Sequence, residues 1–225
     1  MKIGWINKQK AKRLSDIPQT KEFVSLEEIL IIANAPTTNI TERRTKAACI
    51  LMFVSGMRIG ALVTLPLKAI DIENRTILQY PSLGVHTKNY KPGKTFLFPI
   101  PEIIEKLKEW DEEVRSILSE DGFWFAPLSP ETGEIDTKNT KLNDTRVALL
   151  RKNMVSWFQK NGIPYHSPHK FRHGHVHYGQ SHAKNQADYK AVSQNVMHSS
   201  TGITDQFYSN MDDEMKKNRI DSMFS

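Results

Sequence analysis

The chain has 225 residues, 39% hydrophobic and 25% charged, with a formal net charge of +6 and one cysteine. That apolar content fills one sizeable core or two small ones, and a lone cysteine excludes both an internal disulfide and a cysteine-based zinc site. No apolar run approaches the ~20 residues of a membrane span, and the amino-terminal "MKIGWINKQKAKRLSDIPQ" lacks the apolar stretch of a secretory signal.

In chain order, residues 1–24 are polar and basic and read as a lead-in. "SLEEILIIANAP" then opens a helix, with Ser25 as N-cap, Glu28 three residues on completing a capping box, and Pro36 closing it. A second helix, from Thr41 to Ser55, is apolar nearly all round and is expected at the centre of the core, with Cys49 as a buried structural thiol. Gly56 ends it, and "MRIGALVTL" starts a short third helix. "AIDIENRTILQY" supplies two β-prone runs joined by Asn74 and Arg75, and "KTFLFPI" a third. Between the second and third runs lies a polar loop with Lys88, Lys91 and Lys94. A helix begins at Pro101 and runs to about Leu118, and four more stretches are expected near 142–160, 168–181, 186–196 and 202–210. The expectation is a single mainly helical α+β domain over 25–210, with a small three-stranded antiparallel sheet and a tail over 211–225.

"SPHKFRHGHVHYGQSH", residues 167–182, concentrates five histidines and an arginine. Pro168 suits the first turn of a helix, which makes neighbours of residues three or four apart. A His173–His177 pair has no acidic or cysteine ligand nearby in sequence to complete a metal shell, and HExxH is absent. Singly, His166, His175, His177 and His182 read as surface or satisfied-core residues. His169 and Arg172, by contrast, share one face near a helix N-terminus, where unpaired N–H groups and the dipole favour an anion such as phosphate. Arg58 follows a glycine at the end of the buried helix, and "VMHSSTGITDQFYSNM" adds His198 and, ten residues on, Tyr208.

With these residues in order, the chain resembles the catalytic domain of the tyrosine recombinases, the phage integrase family. That family shows an arginine in a G-x-R-x-x-E-like motif, a lysine in a sheet hairpin, H-x-L-R, G-H-S-S and a tyrosine about ten residues further. The matches are Arg58, Lys88 in "HTKN", His169 and Arg172 in "HKFR", His198 in "MHSS" and Tyr208 in "DQFYS". Two departures stand out. Ala61 occupies the position of the usual acid, and Met197 that of the glycine before the histidine.

The resemblance implies that Tyr208 attacks a DNA phosphodiester to form a 3′-phosphotyrosine. Arg58, Arg172 and His198 would surround the phosphate, Lys88 would protonate the leaving oxygen, and His169 would assist at the tyrosine. It implies no metal, no cofactor and double-stranded DNA as partner. It also implies a homotetramer joined through the carboxy-terminal tail, with Met215, Ile220, Met223 and Phe224 as anchors, and accessory DNA-bending proteins. The expected setting is cytoplasmic and nucleoid-associated, of bacterial, phage or plasmid origin. The alternatives are a DNA-binding regulator that kept the fold and lost cleavage, and a type IB topoisomerase-like strand cleaver.

Overall fold

The structure, a computed structural model, describes residues 23–138, 145–197 and 213–224. Helix α1 (Leu26–Asn34) starts as the sequence predicts: Ser25 Oγ accepts from the Glu28 amide at 3.2 Å, and a Glu28 carboxylate oxygen accepts from the Ser25 amide at 2.8 Å. Helix α2 (Ile40–Ser55) is capped by Asn39, whose side-chain oxygen accepts from the Glu42 amide at 2.9 Å. Thirteen of its 16 residues are buried, so it forms the axis on which α1, α4, α5 and α6 pack.

The expectation that α2 is apolar nearly all round holds for its second half only. Glu42 and Arg44 are buried in the first half, and each has a named partner. Glu42 takes Lys160 at 2.7 Å, which helps hold its carboxyl below the usual range against the cost of burial. Arg44 donates to the Ala126 carbonyl and lies 4.2 Å from the centroid of the Phe125 ring. Arg146 approaches the same segment, donating to the Val63 carbonyl at 2.8 Å and to the Phe125 carbonyl. Burial lowers the two guanidinium pKa values to about 9 and about 10 respectively, which leaves both charged at neutral pH.

The short helix α3 (Ile59–Leu62) leads to the sheet, β1 (Ile70–Asp71), β2 (Thr76–Gln79) and β3 (Gly93–Phe96). The three strands are antiparallel in the order β1-β2-β3, with Ile70 opposite Ile77 and Ile77 opposite Thr95. Helix α4 (Pro101–Arg115) buries Ile103, Ile104, Leu107, Trp110 and Val114 on one stripe. Helices α5 (Arg146–Lys160), α6 (Pro168–His182) and α7 (Gln186–Asn195) follow within a few residues of their expected bounds. The helix expected at 202–210 lies outside the described residues.

Two features refine the ends of the domain. Phe23 and Val24, assigned to the lead-in, are packed on α6: Phe23 stacks on His177 with centroids 4.0 Å apart, and the Val24 amide donates to the Lys170 carbonyl at 3.2 Å. The tail forms helix α8 (Asp213–Met223), which packs on α7 and β3 of its own chain. Ile220 and Met223 are buried against Phe96, Phe98 and Val192, Phe224 packs beside them, and Met215 stays exposed. Arg75 and Asp221 close a 2.7 Å ion pair between β2's entry and α8.

Helix α6 lies across α2, and Gly174 permits the contact: a Cβ there would meet the Val24 backbone and the Phe53 ring. Gly56, the C-cap of α2, has φ +61°, and a Cβ there would fall 2.5 Å from Val196 Cγ1 and 2.7 Å from His175 Cδ2. Gly56→Ala combines a left-handed backbone penalty with a steric clash. It should lower unfolding free energy by about 2–3 kcal/mol, read by urea denaturation against wild type.

Candidate active site

Helix α6 begins at Pro168, and its N-cap, Ser167, makes no side-chain capping bond. His169 is exposed in this first turn, and Arg172, one turn further, is 3% exposed. The Arg172 guanidinium reaches between the ends of two other helices. One terminal nitrogen donates to the carbonyl of Gly56, the C-cap of α2, at 2.6 Å, and the other to the carbonyl of Val196, the C-cap of α7. Helix C-termini carry unpaired carbonyls and the negative end of the macrodipole, so a cation there is stabilised without a carboxylate. Burial, and then the neighbouring charge of Arg58, brings the Arg172 pKa down to about 9, which keeps it cationic at neutral pH.

Arg58 is the N-cap residue of α3, in extended conformation and partly exposed, and its side chain makes no cap hydrogen bond. Among the described residues no carboxylate pairs with Arg58 or Arg172. Ala61 is buried within the core at 1% exposure, so the position of the family's usual acid adds only packing. Among the described residues, then, the interacting charges of Arg58 and Arg172 are offset by no carboxylate partner.

His169, Arg172, His173 and His177 line an open pocket of about 500 Å³ along α6, closed on one side by Phe23. The His169 and His173 rings meet edge to face, with centroids 4.2 Å apart. Histidines to either side of this pocket have structural contacts. His166 bonds Glu28 at 2.8 Å, and His182 packs against Tyr178 and Phe224. Among the described residues no three His, Cys, Asp or Glu side chains form a group able to hold a metal.

Lys88 is exposed in the β2–β3 loop, as is Lys91. Lys94 lies within β3, its ammonium 5.6 Å from the Phe96 ring centroid and its carbonyl held by Lys216 at 2.7 Å. The foot of the loop is tied to the α3 segment that Arg58 opens, through the His86 amide donating to Thr64 Oγ1 at 2.8 Å. His198 and Tyr208 lie outside the described residues. The segment leading to them passes through Met197, whose φ of +56° is the left-handed conformation a glycine would adopt freely. Its side chain fills the space left by Gly93 in β3, where a Cβ would come within 2.9 Å of the Met197 sulfur.

His175, read from the sequence as a surface or satisfied-core residue, is a satisfied-core histidine. Its spacing of three from Arg172 places both on one helical face. His175 is fully buried, with Nδ1 2.8 Å from the Phe53 carbonyl, and desolvation lowers its pKa to about 3. The main-chain acceptors of Arg172 carry no signal at all in side-chain identity.

This order of helices around a three-stranded antiparallel sheet is found in solved recombinases and integrases. XerA recombinase aligns with 94% of this chain and 65% of its own, at 17% identity and a TM-score of 0.56. The integrase of mycobacterium phage Brujita aligns with 93% and 65%, at 16% identity and a TM-score of 0.52. XerH recombinase bound to its difH substrate aligns with 90% and 54%, at 19% identity and a TM-score of 0.52. The fold is that of the tyrosine recombinase catalytic domain, and the chain spans 65% or less of the length of these three. Residues 22–215 match the model of the phage integrase family, and the chain belongs to that family. No curated protein sequence matches it closely.

The buried His175 gives an acid-stability signature. The unfolded chain binds its proton near pH ~6.5, whereas the folded chain does so only near pH 3. The unfolded state thus holds more protons between these values, and the stability His175 contributes, complete above the upper one, is lost as pH falls toward the lower. His175→Phe should flatten the Tm-against-pH curve across that window; curves of equal slope would show that the imidazole is not held neutral.

Proposed function

We propose that the protein is a site-specific DNA recombinase or integrase that cleaves and rejoins DNA through a 3′-phosphotyrosine formed by Tyr208. The observation that carries this reading is the Arg58–Arg172 pair, two arginines whose charges lie close enough to interact, with no carboxylate paired to either among the described residues. Such a pair suits a phosphodiester whose nonbridging oxygens gain charge in the transition state: Arg58 has a planar fork to offer them, and Arg172 has the donors its two carbonyls leave over.

The remaining roles follow from chemistry. A tyrosine hydroxyl with pKa near ~10 needs its proton removed as it attacks, and His169 at the pocket mouth is the group to assist. His198 adds a donor to the phosphate. Lys88, exposed on its loop, protonates the departing 5′ oxygen. The phosphotyrosine conserves the bond energy, so the freed 5′-hydroxyl rejoins without ATP. These steps call on no metal or cofactor.

Double-stranded DNA is the partner. XerH is solved on its difH substrate and lambda integrase on a core site, and this chain shares their fold. Helix α5 contains no acidic residue, and its exposed positions include Arg151 and Lys152. These two side chains are suited to backbone phosphates. Assembly into a homotetramer would transfer α8 from its seat in its own chain to a neighbour, with Ile220, Met223 and Phe224 as the apolar anchors. Accessory bending proteins, and a nucleoid setting in a bacterium, phage or plasmid host, complete the proposal.

The buried Ala61 favours one second reading, a DNA-binding regulator of the same fold that no longer cleaves. Incubation with a pool of nicked duplexes of varied sequence, in EDTA, separates the two. Wild type should yield SDS-resistant adducts, Tyr208→Phe none, and Arg172→Ala at least ~100-fold fewer. Binding to the pool without any adduct would establish the regulator. On a captured site, the Arg151→Ala, Lys152→Ala double variant should lower the slope of log affinity against log salt by about 0.9 for each phosphate it no longer neutralises. An unchanged slope would remove α5 from the interface.

A further inference from the structure

His175 follows Arg172 by one turn, and the two side chains leave the same face of α6. The Phe53 carbonyl, 2.8 Å from Nδ1, can only accept, so Nδ1 carries the proton and donates. Nε2 is then an acceptor, and the Asn195 side-chain nitrogen lies 3.4 Å from it. The orientation of that amide is fixed independently. Its nitrogen also donates to the Phe96 carbonyl at 2.8 Å, and its oxygen accepts from the Phe96 amide at 2.8 Å. The imidazole lies flat on Phe98, with centroids 3.8 Å apart and planes 3° from parallel.

The elements joined by His175 are those that hold Arg172. Phe53 lies in the last turn of α2, three residues before Gly56, and Asn195 ends α7, one residue before Val196. Arg172 and His175 thus form two rungs across one gap, a helical turn apart. Filling the space on Phe98 would need only an aromatic ring. The directed hydrogen bonds at both nitrogens are what a ring alone does not supply.

We propose that His175 is a positioning residue for Arg172: as the neutral Nδ1–H tautomer it ties the carboxy-terminal ends of α2 and α7 at the separation the guanidinium requires. Without the tie the ends are free to part, and Arg172 keeps one carbonyl at the expense of the other. The α7 end also launches the segment toward His198, so the same rung governs where that segment departs. The functional half of this inference rests on the reading of Arg172 as a phosphate-binding group.

The test uses the full chain in three forms: wild type, His175→Phe, which keeps the ring, and His175→Asn, which places an amide donor near the position of Nδ1. In wild type the imidazole nitrogen-15 shifts should show a protonated Nδ1 and a bare Nε2. The opposite tautomer would overturn the proposal without any variant having to fold. Arginine side-chain proton–nitrogen spectra, with Arg172→Lys to assign the signal, should show a slowly exchanging Arg172 guanidinium in wild type. His175→Phe should lose it and His175→Asn should retain part of it. Single-turnover adduct formation at saturating DNA should slow on the order of 10–100-fold in His175→Phe and less in His175→Asn, with DNA affinity held. Wild-type guanidinium signals and a wild-type rate constant in His175→Phe would reduce His175 to a filler. If wild type forms no adduct, the recombinase reading fails, while the tautomer and guanidinium spectra still decide whether the tie exists.

Discussion

A buried cation held by two helix ends is the constraint on which the rest of this structure depends. Arg172 is 3% exposed and finds main-chain carbonyls, from Gly56 and Val196, where a buried charge would ordinarily need a carboxylate. Carbonyls at helix termini are partial charges that cost no side-chain ordering. They take two of the five donors of the guanidinium without cancelling its unit charge. A carboxylate in the same place would neutralise the field, and the site would lose part of its pull on a phosphate.

That arrangement dictates the packing around it. For both helix ends to reach one guanidinium, α2 must stop in a left-handed residue, which Gly56 supplies, and α6 must lie close across α2, which Gly174 permits. The end of α7 must meet the sheet, and Asn195 does this by pairing with both main-chain groups of Phe96 as an extra strand would. Thr95 adds its hydroxyl to the Asn195 carbonyl at 3.0 Å. β3 is in turn the strand on which the tail helix seats, through Lys216 and the apolar contacts of Ile220 and Met223. The guanidinium, the sheet and the tail are therefore mechanically continuous.

Much of this was legible in the sequence, and the reasons differ by residue. Ser25 with Glu28, Gly56, Pro101 and Pro168 mark element ends through local backbone chemistry, which needs no knowledge of the fold. The five-part motif order pointed to Arg58 and Arg172 as a pair, and the structure sets their charges close enough to interact. Arg44 and Arg146 were opaque because a buried arginine is specified by its acceptors, and these are carbonyls of residues 63, 125 and 126. His175 was hidden by its company. Among five histidines in sixteen residues its one distinguishing property is full burial, and burial is decided by Phe98 and Asn195, far along the chain.

The same physics explains how the fold persists at 14–19% identity to its solved neighbours. An acceptor supplied by the main chain is indifferent to the side chain that carries it, so Val196 can be any residue that ends α7 at that point. The position before His198 can likewise hold Met197 in a left-handed conformation, because contact with the open face of Gly93 offsets the backbone strain. What cannot drift is the guanidinium itself, since lysine offers a point charge in place of a fork and cannot bridge two carbonyls at fixed angles.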